Sequence, residues 1–118
     1  MKLIRWATEN YKKRIVIITK TVAQADNICK EIKLNIRTEN GIGNTIHSYS
    51  PATREEVRLD NETIISIAPE HSCVTRFKGT TIDVLLFCEN MGTNTINFVT
   101  RYLIQQMGPE RIIGVFKI

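Results

Sequence analysis

The stretch Thr81-Ile-Asp-Val-Leu-Leu-Phe-Cys-Glu-Asn90 decides the fold. Val84 to Cys88 is continuously apolar, which is what a strand covered on both faces requires, and its place is the centre of a parallel sheet. A strand with one wet face would carry a polar residue at every second position. The run is strand-sized, far short of the roughly 18 apolar residues of a membrane-spanning helix. Immediately after it comes Glu89, so an acid is delivered at the C-terminal end of a rigid strand, the edge where open α/β sheets hold their ligands.

Working outward, the same alternation of strand and helix recurs. Arg14-Ile-Val-Ile-Ile-Thr19 is a β-branched run bounded by charge and predicts a second buried strand. Thr21 is placed to cap the helix that follows, whose apolar stripe is Val22, Ala25, Ile28, Cys29 and Ile32. A short helix over Lys2 to Tyr11 precedes the strand. Strands are expected at Thr45 to Tyr49, Glu55 to Leu59 and Thr63 to Ala68, the last two joined at Asp60-Asn61 as a hairpin. Pro69 ends that strand, and Glu70 to Gly79 reads as a polar loop. Beyond Gly92-Thr93-Asn94, the stripe Ile96, Val99, Leu103, Met107 predicts a helix closed by Gly108-Pro109, and Arg111 to Ile118 a last strand. No linker divides residues 1–118, so one α/β domain is expected: a three-layer sheet, Rossmann-like or P-loop-NTPase-like, with a hairpin and with helices on its faces.

Composition narrows the function classes. The chain has 118 residues, 42% hydrophobic and 24% charged, with Lys+Arg 16 against Asp+Glu 12. That apolar fraction excludes a disordered tail, and a formal net charge of +4 is too small for a polybasic arm. With no signal peptide and no apolar span, the expected location is the cytoplasm, without membrane contact. Cys29, Cys73 and Cys88 form no Cys-x-x-Cys pair, so no zinc site is expected and the thiols read as reduced small hydrophobes.

Four residues are candidates for chemistry. Glu89 is placed to hold magnesium or orient water, the alternative being that it opens a solvated loop. Arg76 and Lys78, in Thr75-Arg-Phe-Lys-Gly79, are placed to grip phosphate on a nucleotide or on DNA, unless they belong to a plain solvated loop. Lys20, at the head of the second helix, joins them as a phosphate contact. Gly41-Ile-Gly-Asn-Thr45 has glycines but no lysine to reach a phosphate and reads as a surface turn. His47 and His71 lie near Ser48, Ser50, Ser72 and Cys73, but adjacency in sequence does not build a nucleophile–base pair. Glu55 and Glu56 would point to opposite faces of a strand.

The order of these elements resembles the ATPase core of phage terminase large subunits, and of the related helicases, over nearly the whole chain. Lys20 to Ile32 resembles the segment after their P-loop helix, Val57 to Ala68 their hairpin, and Arg76-Phe-Lys-Gly79 their Arg-x-Gly loop. Ile82 to Asn90 is similar to their Walker B strand, and Arg111 to Phe116 to the strand carrying their coupling motif. The departures matter. No Gly-x4-Gly-Lys-Ser/Thr occurs, Cys88 stands where the first Walker B acid belongs, and Gly114, Phe116 and Lys117 replace the coupling hydroxyls. A protonatable thiol is a poor ligand for magnesium. The resemblance therefore implies a core without stand-alone catalysis and without a cofactor of its own, ATP and magnesium entering only if another chain supplies a P-loop. DNA or a partner protein, in viral DNA packaging for example, are the implied partners. Alternatives are a composite ATPase subunit using Glu89, or a small viral regulatory protein. Because the resembled sheet has its P-loop strand inside, removal of that strand leaves a gap: either the remaining strands close up or another molecule fills the space, and self-association is expected, with the strand reaching Ile118 as another possible edge.

Overall fold

The run Arg14–Thr19 (β1) is the central strand, with Ile15, Val16, Ile17 and Ile18 all fully buried. The computed structural model describes residues 3–38, 46–48, 56–59 and 61–116. Around β1 the chain runs α1 (Leu3–Glu9), β1, α2 (Val22–Thr38), β2 (Ile46–Ser48), β3 (Glu56–Leu59), β4 (Ile64–Pro69), α3 (Glu70–Phe77), β5 (Ile82–Phe87), α4 (Thr93–Leu103) and β6 (Met107–Val115). A 3-10 turn over Ile104–Gln106 leads from α4 into β6. The described strands form one sheet in the order β2-β3-β4-β1-β5-β6. β4, β1, β5 and β6 are parallel, and β2 and β3 extend the β4 side antiparallel. The fold is α/β, a Rossmann-like sheet flanked by helices, as the sequence predicts.

The layers follow from connectivity. Going from β1 to β4 the chain moves one way along the sheet; from β4 to β5 and from β5 to β6 it moves the other way. Right-handed crossovers then put α2 on one face and α3 and α4 on the opposite face. The contacts agree, since α1 packs on α2 and α3 packs on α4. Ala25, Ile28, Cys29 and Ile32 are buried beneath α2, whereas Val22, assigned to that stripe, is 46% exposed. Val22 sits in the first turn, beyond the rim of the sheet.

Two expectations need correction, and one open alternative is decided. Residues Glu70–Phe77 form a helix, not a loop: Pro69 occupies the N-cap, Glu70 lies at the positive end of the helix dipole, and Cys73 and Phe77 bury one turn apart. The last strand starts at Met107 rather than Arg111, so Gly108-Pro109 lies within β6. The β5–β6 register slips there, between Ile82↔Met107 and Val84↔Ile112, and Arg111 takes φ 47°. Of the two alternatives for the place of the missing strand, the described strands take the first and close up, β1 pairing directly with β4 on one side and β5 on the other. Self-association through an unpaired interior edge has no basis in this arrangement. The glycine-containing stretch 41–45, Glu55, Asp60 and Ile118 lie outside the described residues. No helix among those described is long and apolar enough to cross a membrane.

Candidate functional site

In the parallel part of the sheet the connections leaving β1 and β5, which are neighbours, depart in opposite directions. Such a switch point opens a crevice beyond the carboxyl ends of the two strands. Here it is a cleft of about 370 Å³ lined by Gln24, Ile28, Cys88, Glu89, Asn90 and Phe116.

Local bonds set its shape. Thr19, fully buried, donates its hydroxyl to the Thr21 carbonyl at 2.8 Å and fixes the turn out of β1. Thr21 caps α2, its Oγ1 accepting from the Gln24 amide at 3.1 Å. Gln24 Oε1 accepts from the Lys20 amide at 2.9 Å, and its Nε2 donates to Asn90 Oδ1 at 3.2 Å, tying the two loops together across the cleft. On the β5 side the Cys88 amide donates to Ile18 O, and the Met91 amide donates to Cys88 O at 3.1 Å. Glu89 and Asn90 are thus the two central residues of a tight turn, both exposed.

The chemistry on offer is narrow. Burial pushes the Cys88 thiol from its ordinary 9.0 up to about 11, with the adjacent Glu89 charge adding to the shift. At neutral pH it is a neutral thiol, not an anionic ligand. Among the described residues, Glu89 is the single carboxylate lining the cleft. The amide oxygens of Gln24 and Asn90 already accept hydrogen bonds. Among the described residues no group of three or more His, Cys, Asp or Glu side chains is placed to hold a metal ion.

The four candidate residues do not form one site. Lys20 and Glu89 share the C-terminal rim. Arg76 and Lys78 lie at the other end of the strands, because α3 starts at the rim after β4 and carries the chain back to the start of β5. A six-residue strand separates the two ends by about 20 Å. At that far end Lys78 lines a second hollow of about 390 Å³ between α3 and the end of α4, with Val74, Thr75, Tyr102, Leu103 and two glutamines. Tyr102 also packs on Phe98, ring centroids 4.7 Å apart and interplanar angle 46°. Both rings are more than half exposed. Phe98, Arg101 and Tyr102 fall on one face of α4 by their i, i+3, i+4 spacing. His71 and Cys73 lie on α3, where Cys73 is buried and His71 exposed, so they do not form a pair at either site.

Sequence reasoning overlooked Gln24, Asn90 and the Phe98–Tyr102 pair. Thr21-Val-Ala-Gln24 fits the Thr-x-x-Gln capping pattern and could have exposed Gln24. The aromatic pair is an i, i+4 repeat set one position off the buried stripe of Val99 and Leu103. No protein-family model matches the chain, and no curated protein matches it.

Proposed function

We propose that this chain is a non-hydrolysing α/β module, terminase-like or helicase-like in organisation, that binds single-stranded nucleic acid on its α3–α4 face. The observation that carries the reading is the meeting of Lys78 with the exposed Tyr102 in one hollow, extended along α4 by Phe98. Single strands are held without sequence preference by cations that follow the backbone and by aromatic rings on which bases stack. Arg76 and Arg101 add positive charge on the helices that border the hollow. Loss of hydrolysis is supported by the neutral Cys88 at the position of an acid and by Glu89 as the single carboxylate among the described residues that line the cleft.

Fluorescence anisotropy with a labelled oligonucleotide tests this. Affinity is expected to fall with added salt, log K changing by about 0.7 per phosphate neutralised for each decade of salt. Replacing both Phe98 and Tyr102 by Ala is expected to weaken binding by about tenfold or more. Lys78→Ala is expected to flatten the salt slope, while Glu89→Gln leaves binding unchanged. Salt-insensitive or absent binding removes nucleic acid and leaves a partner protein as the ligand of this face.

A second reading rests on the switch point itself. Glu89 and Asn90 stand at the rim between β1 and β5, where a nucleotide held by another chain would present its phosphates. In that case Glu89 orients the attacking water. ATP hydrolysis measured after mixing with candidate partner subunits, and its loss in Glu89→Gln, supports this reading. No gain over background ends it.

A further inference from the structure

We infer that β6 is a self-pairing edge, through which two copies of the chain join their sheets about a two-fold axis at Gly114. The inference is independent of the function proposed above. Among the described residues, β6 has β5 on one side and no strand on the other. The Phe116 amide donates to Phe87 O at 2.8 Å, and Leu86↔Gly114 and Phe87↔Val115 are in register. Backbone groups alternate along a strand, so those of Ile112, Gly114 and Phe116 face β5, and those of Ile113 and Val115 face outward.

The side chains of those same two residues are the exposed apolar ones, Ile113 at 39% and Val115 at 49%. An antiparallel copy centred on Gly114 sets Ile113 opposite Val115 of the second copy, and Val115 opposite Ile113. Each pair exchanges two backbone hydrogen bonds, so every outward group from 113 to 115 finds a partner. Gly114 then meets its own symmetry mate in the close, non-hydrogen-bonded position, where the absence of a side chain lets the strands approach. Ile113 and Val115 lie on the sheet face under α4, because Cys88 and Phe116, of the opposite parity, line the cleft beside Ile28 of α2. The contact is isologous and closed, as a dimer interface must be.

The guards that usually blunt an edge are confined to the other half of the strand. Pro109, Glu110 and the register slip with Arg111 at positive φ occupy its start. Ile112 to Phe116 has no charge, no proline and no slip.

Sedimentation velocity over a concentration series, with hydrogen exchange on the same samples, tests the inference on the unmodified chain. A monomer–dimer equilibrium is expected, in which the amides of Ile113 and Val115 gain protection as the dimer fills, while that of Gly114, already bonded to β5, does not. Val115→Lys is expected to weaken the dimer by about tenfold, because the symmetric contact is lost twice. Combining Ile113→Glu with Val115→Lys is expected to recover most of that loss, each new carboxylate facing the new ammonium of the other copy. Retained circular dichroism shows that both variants fold. A chain that stays monomeric up to its solubility limit, a dimer without protection at Ile113 and Val115, or a double variant weaker than Val115→Lys overturns the inference.

Discussion

At the N-terminal end of the parallel strands, Asn61 and Thr63 direct their side chains at backbone groups under cover, whereas at the C-terminal end Gln24 and Asn90 bond to each other in the open. Asn61 Nδ2 donates to Ala7 O at 2.8 Å and Asn10 O at 3.2 Å, and its Oδ1 accepts from the Thr63 amide at 3.1 Å. Thr63, fully buried, donates to Asn10 O and accepts from the Lys13 amide. Nearby, Asp83 Oδ2 accepts from the Arg14 amide at 2.8 Å. These bonds join α1, β1, β5 and the β3–β4 hairpin, so this end acts as a fixed floor. The rim has fewer such ties, and its loops can adapt to a ligand at little cost. The hollow with Lys78 and Tyr102 lies at the same end of the strands, between α3 and α4 and outside this bonded network.

This contrast can be broken by substitution. The largest effect is expected for Asn61→Ala, which takes the side-chain donor from the Ala7 carbonyl and the acceptor from the Thr63 amide, and should lower unfolding stability by about 2 to 3 kcal/mol in urea titrations. Next comes Gly108→Ala. A Cβ there would meet Asp83 Oδ1 at 3.0 Å, and Asp83 is already held by its bond to Arg14. The expected loss is about 1 to 2 kcal/mol. On the rim, Thr21→Ala removes a helix cap and is expected to cost about 1 kcal/mol. If Thr21→Ala costs as much as Asn61→Ala, the floor is no firmer than the rim.

The smallest effect concerns the thiols. Burial raises Cys73, like Cys88, from 9.0 to about 11. The folded state holds these protons more tightly, so the associated stability is complete below about pH 9 and is lost as pH rises toward 11. Alkylation of the folded chain should therefore be slow at pH 8 and accelerate only in that alkaline window. Fast labelling of Cys88 at pH 8 would show that the rim opens more readily than the described packing allows.

Much of the architecture could be read from the residues, and the failures have physical causes. β1 and β5 were legible because β-branched and continuous apolar runs have few alternatives. α3 was missed because only Cys73 and Phe77, one turn apart, are buried on it, and Pro69 reads as a breaker when it is a cap. That miss also scattered the site. A loop over 70–79 left Arg76 and Lys78 free to fold toward Glu89, while a helix of that length takes them to the other end of the strands. Met107 continues the helical stripe by spacing, yet the 3-10 turn before it redirects the chain, and Gly108 serves the close approach of Asp83. Glu89 was legible as the acid after a buried strand. Its neighbour Gln24 depends on a contact between residues 66 positions apart, which periodicity does not encode.

The place of β1 bears on how the chain is made. Both its neighbours are supplied late: Arg14 pairs with Ile64, and Ile15 with Val84. During synthesis, four consecutive branched aliphatic residues leave the ribosome long before either flanking strand exists. Loop closure over such distances is slow, and the wait exposes an adhesive segment. Production of this protein should therefore respond to slower translation or added chaperone more than its modest size suggests.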